Sequence, residues 1–154
     1  MKRRPSSSRL SKLLRAADEV RKNAHAPYSK FKVGAAVQAG GRIFAAPNVE
    51  NSSYPLSICA ERNAVGMAVA AGQDRIQAIA VMGPGRKSTA PCGGCRQVIW
   101  ELSDPDTTVP VVYAADDGPV VTTTIGDLLP SPFGPGNLRS AARARPRRRR
   151  SGAV

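Results

Sequence analysis

Val33-Gly34-Ala35-Ala36-Val37-Gln38-Ala39-Gly40-Gly41-Arg42-Ile43-Phe44-Ala45 is the stretch from which the fold is read. Two short apolar runs, 33–37 and 43–45, flank a glycine pair, and this predicts a β-hairpin with a glycine turn. Toward the C-terminus a polar loop runs from Pro47 to Pro55, and Cys59 to Ala71 then predicts a helix stopped by Gly72. Small apolar residues lie nearly all round that helix, so burial on more than one side is expected. Ala78 to Met82 is a short apolar run between breakers and predicts a buried strand. A helix over Gly93 to Leu102, a strand over Val109 to Ala114 and a short helix or turn over Ile125 to Leu129 follow. Toward the N-terminus, Leu10, Leu13, Leu14 and Ala17 fall at helical spacing, with Ser7 or Ser8 as a cap and a break over 23–29. Helices alternating with strands after a hairpin predict an α/β fold, a three-layer α/β/α sandwich around one mixed β-sheet.

The 154 residues suffice for one domain with a core, and the chain carries a net charge of +12. That charge is not spread evenly. Residues 1–12 hold five Lys and Arg, and residues 139–150 hold seven Arg. The segment 13–138 holds 11 basic and 11 acidic side chains and is neutral. The expected organisation is a basic disordered tail over 1–8, a domain over 9–137 and an Arg-rich disordered tail over 138–154. Such tails bind polyanions weakly and without sequence specificity, so no specific nucleic-acid partner is expected. No apolar run follows the basic start as in a secretory signal, and the longest such run, Ala64 to Ala71, is too short for a membrane span. A cytoplasmic protein with no membrane partner is expected. Three cysteines in that compartment argue for metal binding or chemistry rather than disulfides.

Two segments carry the chemistry, Cys59-Ala60-Glu61-Arg62 and Pro91-Cys92-Gly93-Gly94-Cys95-Arg96-Gln97, and each opens a predicted helix. Cys92 and Cys95 stand one turn apart and can bite a single ion, with Cys59 as a third thiolate from another helix. Helix N-termini favour thiolates through their free N–H groups. Three ligands leave a zinc ion one open position, where a bound water is acidified toward a pKa of about 7. Glu61, two residues after Cys59, can take and return that water's proton without ligating the metal. Cys-x-Glu followed by Pro-Cys-x-x-Cys matches the known signature of zinc deaminases. A structural zinc is the competing reading of the cysteines, with His25 as the candidate fourth ligand.

Residues 27 to 133 resemble the small, three-cysteine cytidine deaminases that assemble as homotetramers. The resemblance is carried by Tyr28-Ser29-Lys30-Phe31, Val33-Gly34-Ala35-Ala36, Asn48-Val49-Glu50-Asn51, Ser53-Tyr54, both cysteine segments, and Leu128-Leu129-Pro130 followed by Phe133. It implies one Zn²⁺ per chain held by Cys59, Cys92 and Cys95, and Glu61 as the proton shuttle. It further implies that Asn48 and Glu50 bind ribose hydroxyls, that Phe31 packs on the pyrimidine, and that the Ala60 N–H meets the pyrimidine O2. Phe133 would reach a neighbouring subunit's site. Arg62 would offset the net charge of −1 that three thiolates leave on zinc. The implied reaction is hydrolytic deamination of cytidine and 2′-deoxycytidine in pyrimidine salvage. On the residues alone, Asn48 and Glu50 also suit a turn, and Phe31 and Phe133 also suit core or interface packing. Pro47, directly before Asn48, and the Arg-rich tail depart from the family pattern. The rival functions are a blasticidin-type or other deaminase and a nucleic-acid-binding zinc protein.

Overall fold

The computed structural model describes residues 7–144 of the chain. Its sheet grows from the glycine turn: Gly40 and Gly41 both take positive φ, 54° and 76°, the backbone of a two-residue hairpin turn that residues with a Cβ adopt poorly. They join β1 (Gly34–Ala39) to β2 (Arg42–Pro47) in an antiparallel pair. β1 also pairs antiparallel with β3 (Ala78–Gly83), which runs parallel to β4 (Pro110–Ala115), and β5 (Val121–Thr124) closes the far edge antiparallel. The order β2-β1-β3-β4-β5 is one mixed sheet. The parallel step from β3 to β4 spans α3 (Gly93–Glu101), as a parallel connection requires a crossover.

Alternation along the strands sorts the core into two layers. Ala36, Ala78, Ala80 and Val112 face Leu13 and Ala17 of α1 (Ser7–Arg21). Ala35, Val37, Ile79, Val81 and Val111 face α2 (Ala60–Ala70) and Ile99 and Trp100 of α3. Both faces are covered, which explains why β1 and β3 read as unbroken apolar runs. Alanines on the α1 side let that helix approach closely. The limit is Gly34, where an added Cβ would stand 1.9 Å from the Ala17 carbonyl oxygen. The three-layer α/β/α sandwich expected from the sequence is the fold found.

Several elements differ from expectation. β5 was not anticipated; it is a short, half-exposed edge strand of Val and Thr with no in-out alternation to mark it. Within the polar loop a single 3₁₀ turn covers Tyr54–Leu56. α4 (Ile125–Leu128) is the expected short helix, closed by a capping box between Thr124 and Asp127. Ser7 and Ser8 lie within the described part of α1 instead of before it. Residues 138–144, expected to begin a disordered tail, belong to α5 (Pro135–Ala144). Proline at a helix start and the alanine-rich run after Asn137 favour that helix over the tail reading. Arg139 of α5 pairs with Asp104 at 3.6 Å. The remaining tail residues, 1–6 and 145–154, lie outside the described residues. No described helix is long and apolar enough to cross a membrane.

Candidate active site

Cys59 and Cys92 are the N-cap residues of α2 and α3, both with extended backbone, and neither spends its side chain on a capping hydrogen bond. Cys95 lies one turn into α3 and is buried, whereas Cys59 is half-buried and Cys92 exposed. The three sulfurs lie within 4.8 Å of one another, with Cys92 Sγ 3.3 Å from Cys95 Sγ. A tetrahedral zinc about 2.3 Å from each sulfur needs them roughly 3.8 Å apart. The observed spread brackets that spacing.

Hydrogen bonding from Cys95, then from Cys92, and the charge of Arg62 pull the Cys59 thiol down to about 6, against the opposing effect of burial. Beside that anion, and buried, the Cys95 thiol is pushed strongly up. The donor set fits zinc. His25 is exposed, bridges to Val49 through its backbone and lies outside the cysteine group, so it is not the fourth ligand.

Glu61 sits in the first turn of α2 at 5% exposure. Burial, reinforced by the charge on Cys59, raises its carboxyl above the usual range, with the Cys95 thiol acting in the opposite sense. Ala60, its neighbour, is fully buried at the helix start, where N–H groups have no intrahelical acceptor.

Next to Cys59 opens a cavity of about 470 Å³, lined by Tyr28, Ser29, Asn48, Val49, Glu50, Tyr54, Ser57, Ile58 and Cys59. Asn48 and Glu50 therefore share a cavity wall with Cys59. Asn48 Oδ1 accepts from the Val33 N–H at 2.8 Å, and its Nδ2 donates to the Phe31 carbonyl at 3.0 Å. Glu50 Oε2 accepts from the N–H groups of Tyr28 and Ser29 at 3.0 and 3.2 Å, and Oε1 accepts from the Ser29 hydroxyl. These bonds, the Ser29 hydroxyl first among them, hold the Glu50 carboxyl below its usual range. Pro47 ends the edge strand β2 opposite Gly34, and the Asn48 N–H still reaches the Val33 carbonyl at 3.0 Å.

Two expected residues stand apart from the cavity wall. Phe31 is 46% exposed and Phe133 60% exposed. Phe133 is anchored through its carbonyl, which accepts from Gln97 Nε2 at 2.7 Å. Other residues at the site had no role assigned from sequence. Tyr28 and Tyr54 meet edge to face, ring centres 5.6 Å apart, across one side of the cavity. Asn63 donates to the Pro47 carbonyl at 2.9 Å, tying α2 to the loop that carries Asn48. Arg96 donates to the carbonyls of Pro91 and Leu128 at 2.9 and 3.0 Å, tying the metal loop to α4. A lone Asn on an alanine-rich helix was a visible signal; the reach of Arg96 was not.

Residues 7–111 match the family described as the cytidine and deoxycytidylate deaminase zinc-binding region. A cytidine deaminase of Sporosarcina psychrophila is 40% identical over 134 residues, 86% of this chain and 97% of the relative. The crystal structure of cytidine deaminase from Burkholderia pseudomallei superposes with a TM-score of 0.75 at 48% identity, covering 80% of this chain and 98% of that one. Cytidine deaminase from Mycobacterium tuberculosis superposes at 0.67 with 35% identity, over 80% of this chain and 96% of that one. Three sulfurs gathered from two helix starts, a buried glutamate beside them and a matching fold are all accounted for in one way: the chain belongs to the zinc-binding cytidine and deoxycytidylate deaminase family.

Proposed function

We propose that the protein deaminates cytidine and 2′-deoxycytidine hydrolytically, giving uridine or 2′-deoxyuridine and ammonia, in cytoplasmic pyrimidine salvage. The observation that carries this reading is the buried Glu61 within two residues of a three-thiol cluster that opens beside a nucleoside-sized cavity. Cys59, Cys92 and Cys95 would hold one zinc, which when bound acidifies water for attack on the base. Glu61 takes a proton from water as its oxygen adds to C4 of the cytosine, and passes that proton to N3. It then carries the second proton to the amine. The C4–N bond breaks, ammonia leaves, and C4 becomes the uracil carbonyl. The Ala60 N–H, at the start of α2, serves the pyrimidine O2. Asn48 and Glu50 supply a donor and an acceptor for the sugar hydroxyls. Phe31 packs on the base, and Arg62 offsets the negative charge of a trithiolate zinc. The pull of Arg62 on Cys59 supports that last role.

The catalytic unit is assigned to residues 9–137, with the Arg-rich end as a separate appendage. A homotetramer with shared sites, implied by the resemblance to the family, is proposed, and apolar side chains exposed on a single chain support assembly. Met67 and Val69 of α2, Tyr54 and Leu56 of the 3₁₀ turn, and Phe133 all lie exposed in a single chain. Light scattering tests the assembly. The decisive assay is spectrophotometric turnover of both nucleosides with metal content measured on the same sample. Turnover with ~1 zinc per chain is expected. A zinc-loaded protein inert toward both nucleosides refutes the substrate assignment.

A further inference from the structure

Ser29 occupies a junction that neither the metal chemistry nor the sugar contacts explain. Its hydroxyl donates to Glu50 Oε1, and the same oxygen accepts from the Phe31 N–H at 2.9 Å. Its backbone N–H donates to Glu50 Oε2 at 3.2 Å, beside that of Tyr28 at 3.0 Å. The turn beneath it is tight: the Lys30 N–H returns to the Ala26 carbonyl at 3.1 Å, and Lys30 takes a φ of 60°. Asn48 Nδ2 holds the Phe31 carbonyl from the other side. One hydroxyl thus connects the backbone of Phe31 to the carboxylate of Glu50 at the cavity wall.

We infer that Ser29 is a positioning residue for sugar recognition, fixing the Glu50 carboxylate in the orientation that receives a ribose hydroxyl. A carboxylate held by backbone N–H groups at one oxygen alone is free to swing its other oxygen; the Ser29 hydroxyl removes that freedom before substrate arrives. The inference rests on the reading of Glu50 as the acceptor of a sugar hydroxyl. Ser29 is exposed and carries no core packing, so replacing it removes only the hydroxyl's bonds to Glu50 and to the Phe31 N–H.

The test uses the full-length zinc protein. KM and kcat are measured for cytidine, and competitive inhibition constants for uridine and for 2′,3′-dideoxyuridine, which lacks the 2′- and 3′-hydroxyls. Ser29→Ala should raise the cytidine KM and the uridine constant about tenfold, ~1.4 kcal/mol, with kcat nearly unchanged and the dideoxyuridine constant unmoved. Ser29→Thr, which keeps the hydroxyl, should restore binding. Equal loss for both inhibitors, or no loss for either, overturns the inference. Glu50→Gln separates the two readings. If it too fails to distinguish the inhibitors, the sugar role of Glu50 falls and the inference with it. If Glu50→Gln distinguishes them and Ser29→Ala does not, only the inference is overturned.

Discussion

Replacing Arg96 tests whether the metal loop is held from behind. Its guanidinium donates through Nε to the Pro91 carbonyl at 2.9 Å and through Nη1 to the Leu128 carbonyl at 3.0 Å. Pro91 is fully buried and immediately precedes Cys92, while Leu128 ends α4 and is partly buried. Arg96→Met deprives both acceptors of this donor. A buried carbonyl left unpaired costs about 1–3 kcal/mol. Water can reach Leu128 more easily, so the pair should cost roughly 2–4 kcal/mol. For a domain of this size that lowers the melting temperature by about 5–15 °C. Lysine carries one ammonium on a flexible stem and cannot span two carbonyls in fork geometry, so Arg96→Lys should lose about half as much. Circular dichroism melting of the zinc-loaded variants measures this, and zinc transfer to a chromophoric chelator should be faster because the carbonyl released adjoins a ligand. If Arg96→Met melts within about 2 °C of the unaltered protein and releases zinc at the same rate, the two bonds are incidental.

Glu61→Gln should bind zinc with unchanged stoichiometry while kcat falls by about 10²–10⁴; metal analysis alongside the cytidine assay checks both, and turnover at the original rate removes Glu61 from the mechanism. Gly34→Ala places a Cβ against the Ala17 carbonyl, a backbone obstacle that no rotamer change relieves, so a loss of ~2–3 kcal/mol in urea unfolding is expected. A midpoint that does not move means α1 sits farther from the sheet than 1.9 Å implies. Deleting residues 145–154 should leave cytidine turnover intact and weaken retention on an anionic column; a loss of turnover would tie the tail to catalysis.

What could be read from the sequence was whatever a residue type betrays by itself. Gly40-Gly41 marked the turn because few other residues take two successive positive φ values. Ala35, Val37 and their partners in β3 marked buried strands because both faces were to be covered. The three cysteines and Glu61 were legible because metal and proton chemistry tolerate few substitutes at that spacing. What escaped was whatever depends on a partner distant in sequence. Val121–Thr124 become a strand only because β4 offers them an edge. Arg96, Asn63 and Ser29 act on backbone carbonyls or on a carboxylate 16–32 residues away, and only Asn63, a lone amide on an alanine-rich helix, stood out locally. The small apolar residues of α2 suggested burial on more than one side, and a single chain leaves Met67 and Val69 uncovered. α5 was hidden by Pro135-Gly136-Asn137, which reads as a break but also starts a helix.

The charge distribution separates catalysis from whatever the basic ends do. Three thiolates would leave a bound divalent ion at a net −1, and the positive groups beside the sulfurs are local: the N-termini of α2 and α3, capped by Cys59 and Cys92, and Arg62, whose charge lowers the Cys59 thiol. Helix-terminus effects fade within a turn, and exposed charges beyond about 8 Å are screened at physiological ionic strength. Residues 13–138 balance 11 basic against 11 acidic side chains, so the domain around the cavity has no net charge with which to steer a ligand. Nor does it need any, since cytidine is uncharged at neutral pH and a long-range field does little to speed the approach of a neutral molecule. The excess of +12 therefore gives the proposed reaction no advantage. Whatever polyanion the Arg-rich ends engage, that contact should be salt-sensitive and separable from deamination, and raising the ionic strength should abolish the first while leaving the second unchanged.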